Sequence, residues 1–277
     1  MSIIYFARNP ASFEAAPQLL LDVYPGAAFA YDLQRLRTGV TNVVDVRRSS
    51  DNAVLAFTAQ QIVDGTLLSW VGAGNNGLVT RMYDQTGNGR HATQTVPANQ
   101  PQIVANGALI TTNGRPALRY NGSTQRMDIP TVPFSMNSFY VHTVSKADTT
   151  TNRVAFSCPG DNRLYAPVVD NSYYGGYMAN ALAFNFGSAG VTNQYLMQIN
   201  AGVSWCNAWR NNSASTAVAS SSAAEVGNNL SLGSYEKDEV RASYWLGTIQ
   251  GCVFYTSDQS ANRAGIAAAV NVLYGIY

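Results

Sequence analysis

Tyr83-Asp84-Gln85-Thr86-Gly87-Asn88-Gly89-Arg90-His91-Ala92-Thr93-Gln94 is the stretch that decides how this 277-residue chain is read. Two glycines flank an asparagine, an aspartate stands where an Asx-type turn begins, and polar strand-like sequence follows. Glycine enters positive φ without steric cost, and asparagine tolerates that region better than most residues. The segment therefore predicts a tight turn of specified backbone path between extended pieces. In this reading Tyr83, Asp84, Gly87, Asn88 and Gly89 are structural, with Asp84 capping the turn.

Working outward, Leu78–Tyr83 reads as a strand leading into the turn, and Val43–Arg48 as another. Thr58–Val71 has apolar residues at helical spacing, with Thr58 as its cap. From Pro101 onward short strands recur: 117–120, 138–145, 154–157, 196–199, 203–210, 230–233 and 247–255. Asn, Gly, Ser and Pro turns separate them, and that rhythm predicts an all-β sandwich or jelly roll. Ser213–Ala224, rich in Ser and Ala, reads as a surface loop. Ser257-Asp258 offers a cap for a C-terminal helix bearing Ile266, Val270, Leu273 and Tyr274 on one face. At the other end, residues 11–22 could hold a short helix, and Tyr31–Arg37 one or two helical turns. The chain divides into an N-terminal arm or docking segment, 1–28, and one β domain, 29–277.

Hydrophobic residues make up 46% of the chain, enough for a sizeable core, while charged residues are only 12%. Usual charged content is about 25%, so Asn, Ser, Thr and Gln supply the surface polarity. A net charge of +1 gives no electrostatic footprint for nucleic acid or an anionic membrane. No segment approaches the roughly 18 to 20 apolar residues that span a bilayer, and the N-terminus lacks a signal-peptide pattern. The chain is expected to fold in a cytosol. Cys158, Cys206 and Cys252 are widely spaced and lack zinc-type spacing, so neither a disulfide framework nor a metal site is expected. No cofactor is expected.

Gly72-Ala73-Gly74-Asn75-Asn76-Gly77 matches GxGxxG, but helical sequence precedes it and a strand follows. The dinucleotide motif needs the reverse order, so a helix-ending turn accounts for it. His91 and His142 have no neighbouring Cys or carboxylate cluster and read as structural. Arg35, Arg37, Arg47 and Arg48 are expected to pair with Asp32, Asp45 or Asp51. The run Glu236-Lys237-Asp238-Glu239 reads as a solvated loop tip. Tyr173, Tyr174, Tyr177 and Trp209 form a candidate platform for sugar rings, which stack their apolar faces on aromatics. Filling the sandwich core or a subunit interface is the competing use of the same residues.

Taken in order, Ala30–Leu33, Val46–Asn52, Tyr83–Gln94, Asn113–Tyr120 and Tyr255–Arg263 make the chain resemble the concanavalin A-like, laminin G-like jelly rolls of bacteriophage tail and virion proteins. The first half is also similar to the catalytic domain of fungal α-L-arabinofuranosidase B, through Arg47-Arg48-Ser49-Ser50-Asp51 and Tyr83–Gly89. That resemblance implies a nucleophilic Glu in the stretch Leu164–Asn171. This chain has no Glu there, and Tyr165 takes the place. The implied general acid falls near Asp238 or Glu239, and Asp170 is the substitute nucleophile to test. A retaining mechanism without its nucleophile loses its covalent intermediate. The resulting expectation is a non-catalytic virion structural protein (a tail, fibre or capsid-decorating component), assembled in a host cytoplasm. Its expected partners are other virion proteins and further copies of itself. The alternatives are a module binding host surface glycans and an arabinofuranosidase-like glycoside hydrolase.

Overall fold

The structure, a computed structural model, describes residues 18–158, 164–170, 173–178, 182–187, 193–215, 217, 219, 224–227, 230–237 and 240–277. It is the expected all-β sandwich with a few short helices. One layer is organised around the strand Leu246–Tyr255. That strand pairs with Phe29–Asp32 and Leu118–Asn121 along one edge, and with Phe139–Ala147 along the other. Tyr195–Ala201 and then Cys206–Arg210 extend this layer. The second layer runs Val54–Thr58, Asn42–Arg48, Gly77–Met82, Ala92–Thr93, Met127–Ile129, Leu230–Leu232, Phe156–Cys158, Leu164–Asp170, Tyr173–Met178, Leu182–Asn185. Gln102–Ala105 pairs with both Gly77–Met82 and Leu118–Asn121, joining the layers into one hydrogen-bonded network.

Strand alternation sorts side chains between the two faces of each layer. From Phe139–Ala147, Phe139 and Val141 enter the inter-layer core, while Tyr140 and Val144 point the other way. Phe254 stacks on Phe29 and Phe139 with ring centroids 5.3 and 6.1 Å apart, and meets Phe134 edge-on at 5.1 Å. Aromatic pairs of this kind add to the area they bury.

Helices α1 (Leu20–Val23) and α4 (Arg263–Tyr274) cover the outer face of the first layer. Leu20, Leu21, Ile266, Val270 and Tyr274 are buried there against Tyr140, Val253 and Tyr255. The described part of the N-terminal arm is therefore packed on the body. Alanine-rich sequence favours α4, and Gly275, at φ +59°, ends it in the left-handed region. The helix starts at Arg263, later than the Ser257-Asp258 cap predicts. Asp258 instead accepts from the Ser260 N–H and the Asn200 side chain, both at 2.8 Å.

Two other expectations change. The predicted helix 58–71 is two helices, α2 (Ala59–Val63) and α3 (Thr66–Val71), broken at Gly65, whose φ is +92°. Thr58 caps α2 as expected, in a reciprocal box with Gln61. Tyr31 and Asp32 are strand, not helix, because their backbones pair with Cys252 and Gly251. Gly72 ends α3 at φ +82°, as the GxGxxG reading requires. Cys158, Cys206 and Cys252 are buried, and none of them is in a disulfide.

Candidate functional site

The Tyr83–Gln94 segment is held as a structural turn. Asp84 Oδ1 accepts from the N–H of Ala30 (3.1 Å) and Thr86 (3.0 Å), and Oδ2 from the N–H of Arg90 (3.1 Å). Gln85 accepts from Leu36 N–H and donates to the carbonyls of Asp32 and Gln34, fastening the turn to the first strand. Gly87 and Gly89 adopt φ of +89° and +75°. Asn88 does not use the left-handed region; its amide donates to the carbonyls of Ala27 and Ala28. His91 accepts from Asp84 N–H through Nδ1. His142 is buried, and burial pushes its pKa down to about 3. Both histidines are thus built into the scaffold.

The functional candidate lies on the outer face of the second layer. Directly opposed residues in antiparallel strands share a face, and here the register gives one row: Asp45, Arg81, Thr93, Asp128, Ser231, Ser157, Tyr165. In the three short strands that form its middle, the flanking residues face the core. Met127, Leu230, Leu232 and Phe156 are buried between the layers, while Asp128, Ser231 and Ser157 make the polar row.

The row is continuously hydrogen-bonded at its centre. Asp128 Oδ1 accepts from Arg126 at 3.1 Å and Arg241 at 3.0 Å, and Oδ2 accepts from the Gln94 amide at 3.2 Å. Arg241 also reaches the Ser234 hydroxyl at 3.4 Å. Ser234, Ser231 and Ser157 then follow, with hydroxyl oxygens 3.0 and 3.1 Å apart. At one end Asp45 holds Arg81 at 3.4 Å and accepts from the Tyr83 hydroxyl at 2.8 Å. At the other, Tyr165 meets Tyr235 edge-on with centroids 4.7 Å apart. The hairpin of Tyr235–Lys237 and Val240–Ala242 carries Tyr235 and Arg241 to this face.

The serine hydroxyls and Tyr165 are buried, so the row meets solvent through Arg81, Asp128 and the partly exposed Arg241 and Tyr235, groups that suit a ligand with both hydroxyls and apolar faces. The row's two carboxylates cannot act together on one glycosidic bond. Asp45 and Asp128 are three inter-strand steps apart, about 14 Å at roughly 4.8 Å per step. Paired carboxylates in glycosidases stand about 5 to 9.5 Å apart. A catalytic pair on this face therefore needs a carboxylate from elsewhere. Asp238, Glu239 and the side chain of Asp170 lie outside the described residues; the Asp170 backbone is in register with Tyr173 at the end of its strand.

The predicted aromatic platform is not assembled. Tyr174 is 1% exposed and packs on Tyr195 in the inter-layer core, centroids 4.6 Å apart. Trp209 lies on the other layer beneath the Arg263 guanidinium, 4.7 Å away. The side chains of Tyr173 and Tyr177 fall outside the described residues, although the Tyr177 backbone is in register with Tyr165. Sequence reasoning passed over Asp128, Ser157, Ser231 and Ser234. The available signal was a polar residue between two apolar ones in Met127-Asp128-Ile129, Phe156-Ser157-Cys158 and Leu230-Ser231-Leu232.

No protein-family model matches this chain, and no curated protein sequence matches it. Solved structures do. A glutamate-to-glutamine mutant of a GH54 α-L-arabinofuranosidase, soaked with 4-nitrophenyl α-L-arabinofuranoside, superposes with a TM-score of 0.69 at 14% identity. It is matched over 92% of this chain and 64% of its own. A GH54 enzyme soaked with a cyclic sulfate inhibitor gives 0.64 at 14% identity, with the same coverage of each chain. An arabinofuranosidase complexed with arabinofuranosyl-α-1,2-xylobiose gives 0.60 at 18% identity, covering 90% of this chain and 64% of that one.

The chain shares its β-sandwich fold with these arabinofuranosidases. This chain spans about 64% of the length of those enzymes. The expectation of a non-catalytic protein is corrected by this finding, because the structures sharing the fold over nine-tenths of the chain are glycoside hydrolases. None of the three is a virion protein, and the virion reading draws no support from them.

Proposed function

We propose that the chain is a carbohydrate-active sandwich of arabinofuranosidase type, acting on α-L-arabinofuranosides at the polar face of its second layer. The observation that carries this reading is the arabinofuranosidase fold over 92% of the chain. The Asp45-to-Tyr165 row is compatible with it at its solvent-facing members: the Arg81 and Arg241 guanidinium groups and the Asp128 carboxylate can read sugar hydroxyls, with Tyr235 as an aromatic flank, while the buried Ser157, Ser231 and Ser234 brace the face from beneath. Chemistry would fall to Asp238 or Glu239 as general acid, with Asp170 as nucleophile in place of the missing Glu. In sequence, Asp238 and Glu239 follow the strand Tyr235–Lys237 and precede the strand that carries Arg241, and Asp170 ends the strand that carries Tyr165.

Release of 4-nitrophenol from 4-nitrophenyl α-L-arabinofuranoside by the full chain tests the proposal. Turnover is expected, and Asp170→Asn should lower kcat at least 100-fold, as should Asp238→Asn or Glu239→Gln. Absence of turnover together with absence of arabinoside binding would overturn it. Glycan recognition is supported by the same row, and arabino-oligosaccharide binding weakened by Arg241→Ala would place recognition on this face.

A further inference from the structure

The structure holds a cleft, lined by both polar and apolar groups, that the row does not use. It lies at the end of the sandwich, beside the Tyr83–Gln94 turn, and measures about 480 Å³. Arg37 and Arg90 line it, together with Pro25, Pro133, Asn88 and Thr256. Small-ligand sites are commonly about 300 to 1,000 Å³, so the space suits one or two sugar rings.

The two arginines are incompletely used by the protein. Each guanidinium carries five N–H donors. Arg37 donates through one terminal nitrogen to the carbonyl of Thr86, and Arg90 through one to the carbonyl of Ala28. Among the described residues, ion pairs are made by Arg48, Arg81, Arg119, Arg126, Lys146 and Arg241 but not by Arg37 or Arg90. The nearby carboxylates are committed elsewhere. Asp22 accepts from the N–H and hydroxyl of Thr38, and Asp84 from Ala30, Thr86 and Arg90 N–H groups. Among the described residues, two half-buried cations thus face one cleft with donors to spare and no ion-pair partner lining it, although the Arg37 charge is felt at Asp22 outside it.

We propose that Arg37 and Arg90 form a subsite for the carboxylate of an acidic sugar, a uronate carried on the glycan. A guanidinium fork matches a carboxylate in geometry and charge. Pro25 and Pro133, both exposed, present rigid apolar faces on which the C–H face of the ring can rest. Asn88 is already engaged with the carbonyls of Ala27 and Ala28 and serves as floor. The identity of the ligand as a sugar rests on the proposed function; the anion preference rests on the two arginines alone.

The test is calorimetric titration of the full chain with xylotriose bearing one glucuronate, with unsubstituted xylotriose and with sodium sulfate. The acidic oligosaccharide is expected to bind at least 10-fold more tightly than the neutral one. Its affinity should fall at least 10-fold in Arg90→Gln and in Arg37→Gln, and also between 50 and 500 mM NaCl in the unmodified protein. The salt series keeps the test decisive if either variant fails to fold. Equal affinity for acidic and neutral oligosaccharide, or no binding of either, overturns the proposal. Sulfate binding as tightly as the oligosaccharide overturns the sugar and leaves an oxyanion site. Hydrolysis of 4-nitrophenyl arabinofuranoside should be unchanged in Arg37→Gln, so loss of this subsite and loss of the proposed activity read out separately.

Discussion

The hydroxyl of Tyr274, in the last turn of α4, donates to Oδ1 of Asp32 in the first strand, across 242 positions of sequence. The same carboxylate oxygen accepts from the Gln34 N–H at 2.7 Å. Asp32 is 4% exposed, and desolvation outweighs these hydrogen bonds, pushing its pKa up from 3.8 to about 7. Burial and the neighbouring carboxyl push Tyr274 well above its ordinary value, so it remains a donor.

Stability should therefore fall as pH rises from about 4 to about 7. In that window the folded state holds a proton on Asp32 that the unfolded chain has released, which stabilises the fold fully at the acid end and not at the neutral end. The slope from this group is at most about 1.4 kcal/mol per pH unit. Asp32→Asn, which imitates the protonated carboxyl, should remove that slope. Urea unfolding of both proteins across the pH series provides the difference, and parallel curves would show that Asp32 is ionised throughout.

Asp84→Ala should cost about 3 kcal/mol, because it leaves the buried N–H of Ala30 and the partly buried N–H groups of Thr86 and Arg90 without an acceptor. Asp84→Asn retains one acceptor oxygen and should cost less. Denaturant midpoints with unchanged slope would report the loss. A cost under about 0.5 kcal/mol for the alanine variant would mean that the turn is specified elsewhere.

Gly233→Ala should be among the most damaging small changes in the protein. Gly233 sits at φ +89°, and an added Cβ would enter the Tyr120 ring, which is fully buried. Strain and overpacking together should exceed about 3 kcal/mol. Gly74→Ala, at φ +74° with open space around it, should lose only about 1 to 2 kcal/mol. Thermal unfolding of the two variants side by side separates steric conflict from backbone conformation.

The three thiols should react with a disulfide reagent only after unfolding. Cys158, Cys206 and Cys252 are at most 3% exposed, and burial pushes the Cys206 and Cys252 thiols well above the ordinary value. Thiolate is the reactive form. The native protein should therefore titrate near zero thiols and the denatured one three, and reductant should leave the melting temperature unchanged.

The sandwich was legible because its strands obey local rules. Thr58 could be recognised as a cap, Gly72 as a helix end, and Ser138–Ser145 as one of the short strands recurring between turns. The break at Gly65 was not, since a glycine inside a helical pattern is tolerated often enough to be passed over. Tyr31-Asp32 was misread because its strand character comes from pairing with Cys252 and Gly251, over two hundred residues away. The aromatic platform failed for a related reason. Proximity of Tyr174 and Trp209 in sequence says nothing about which layer each joins. The polar row was hidden by distance, since Ser157 and Ser231 meet across 74 positions. Only their apolar neighbours marked them, and that mark does not tell which strands will lie side by side.

The row has a consequence for how chemistry can be changed on this scaffold. Each of its members is delivered by a different strand, and at Asp45, Asp128, Ser231, Ser157 and Tyr165 both flanking residues are anchored in the core. A substitution at one position therefore alters the face without disturbing its neighbours' supports, whereas a one-residue insertion in a strand would swap that strand's inner and outer sets. The face works like a keyboard with separately mounted keys. New specificities can be composed on it one strand at a time, by exchange and not by insertion.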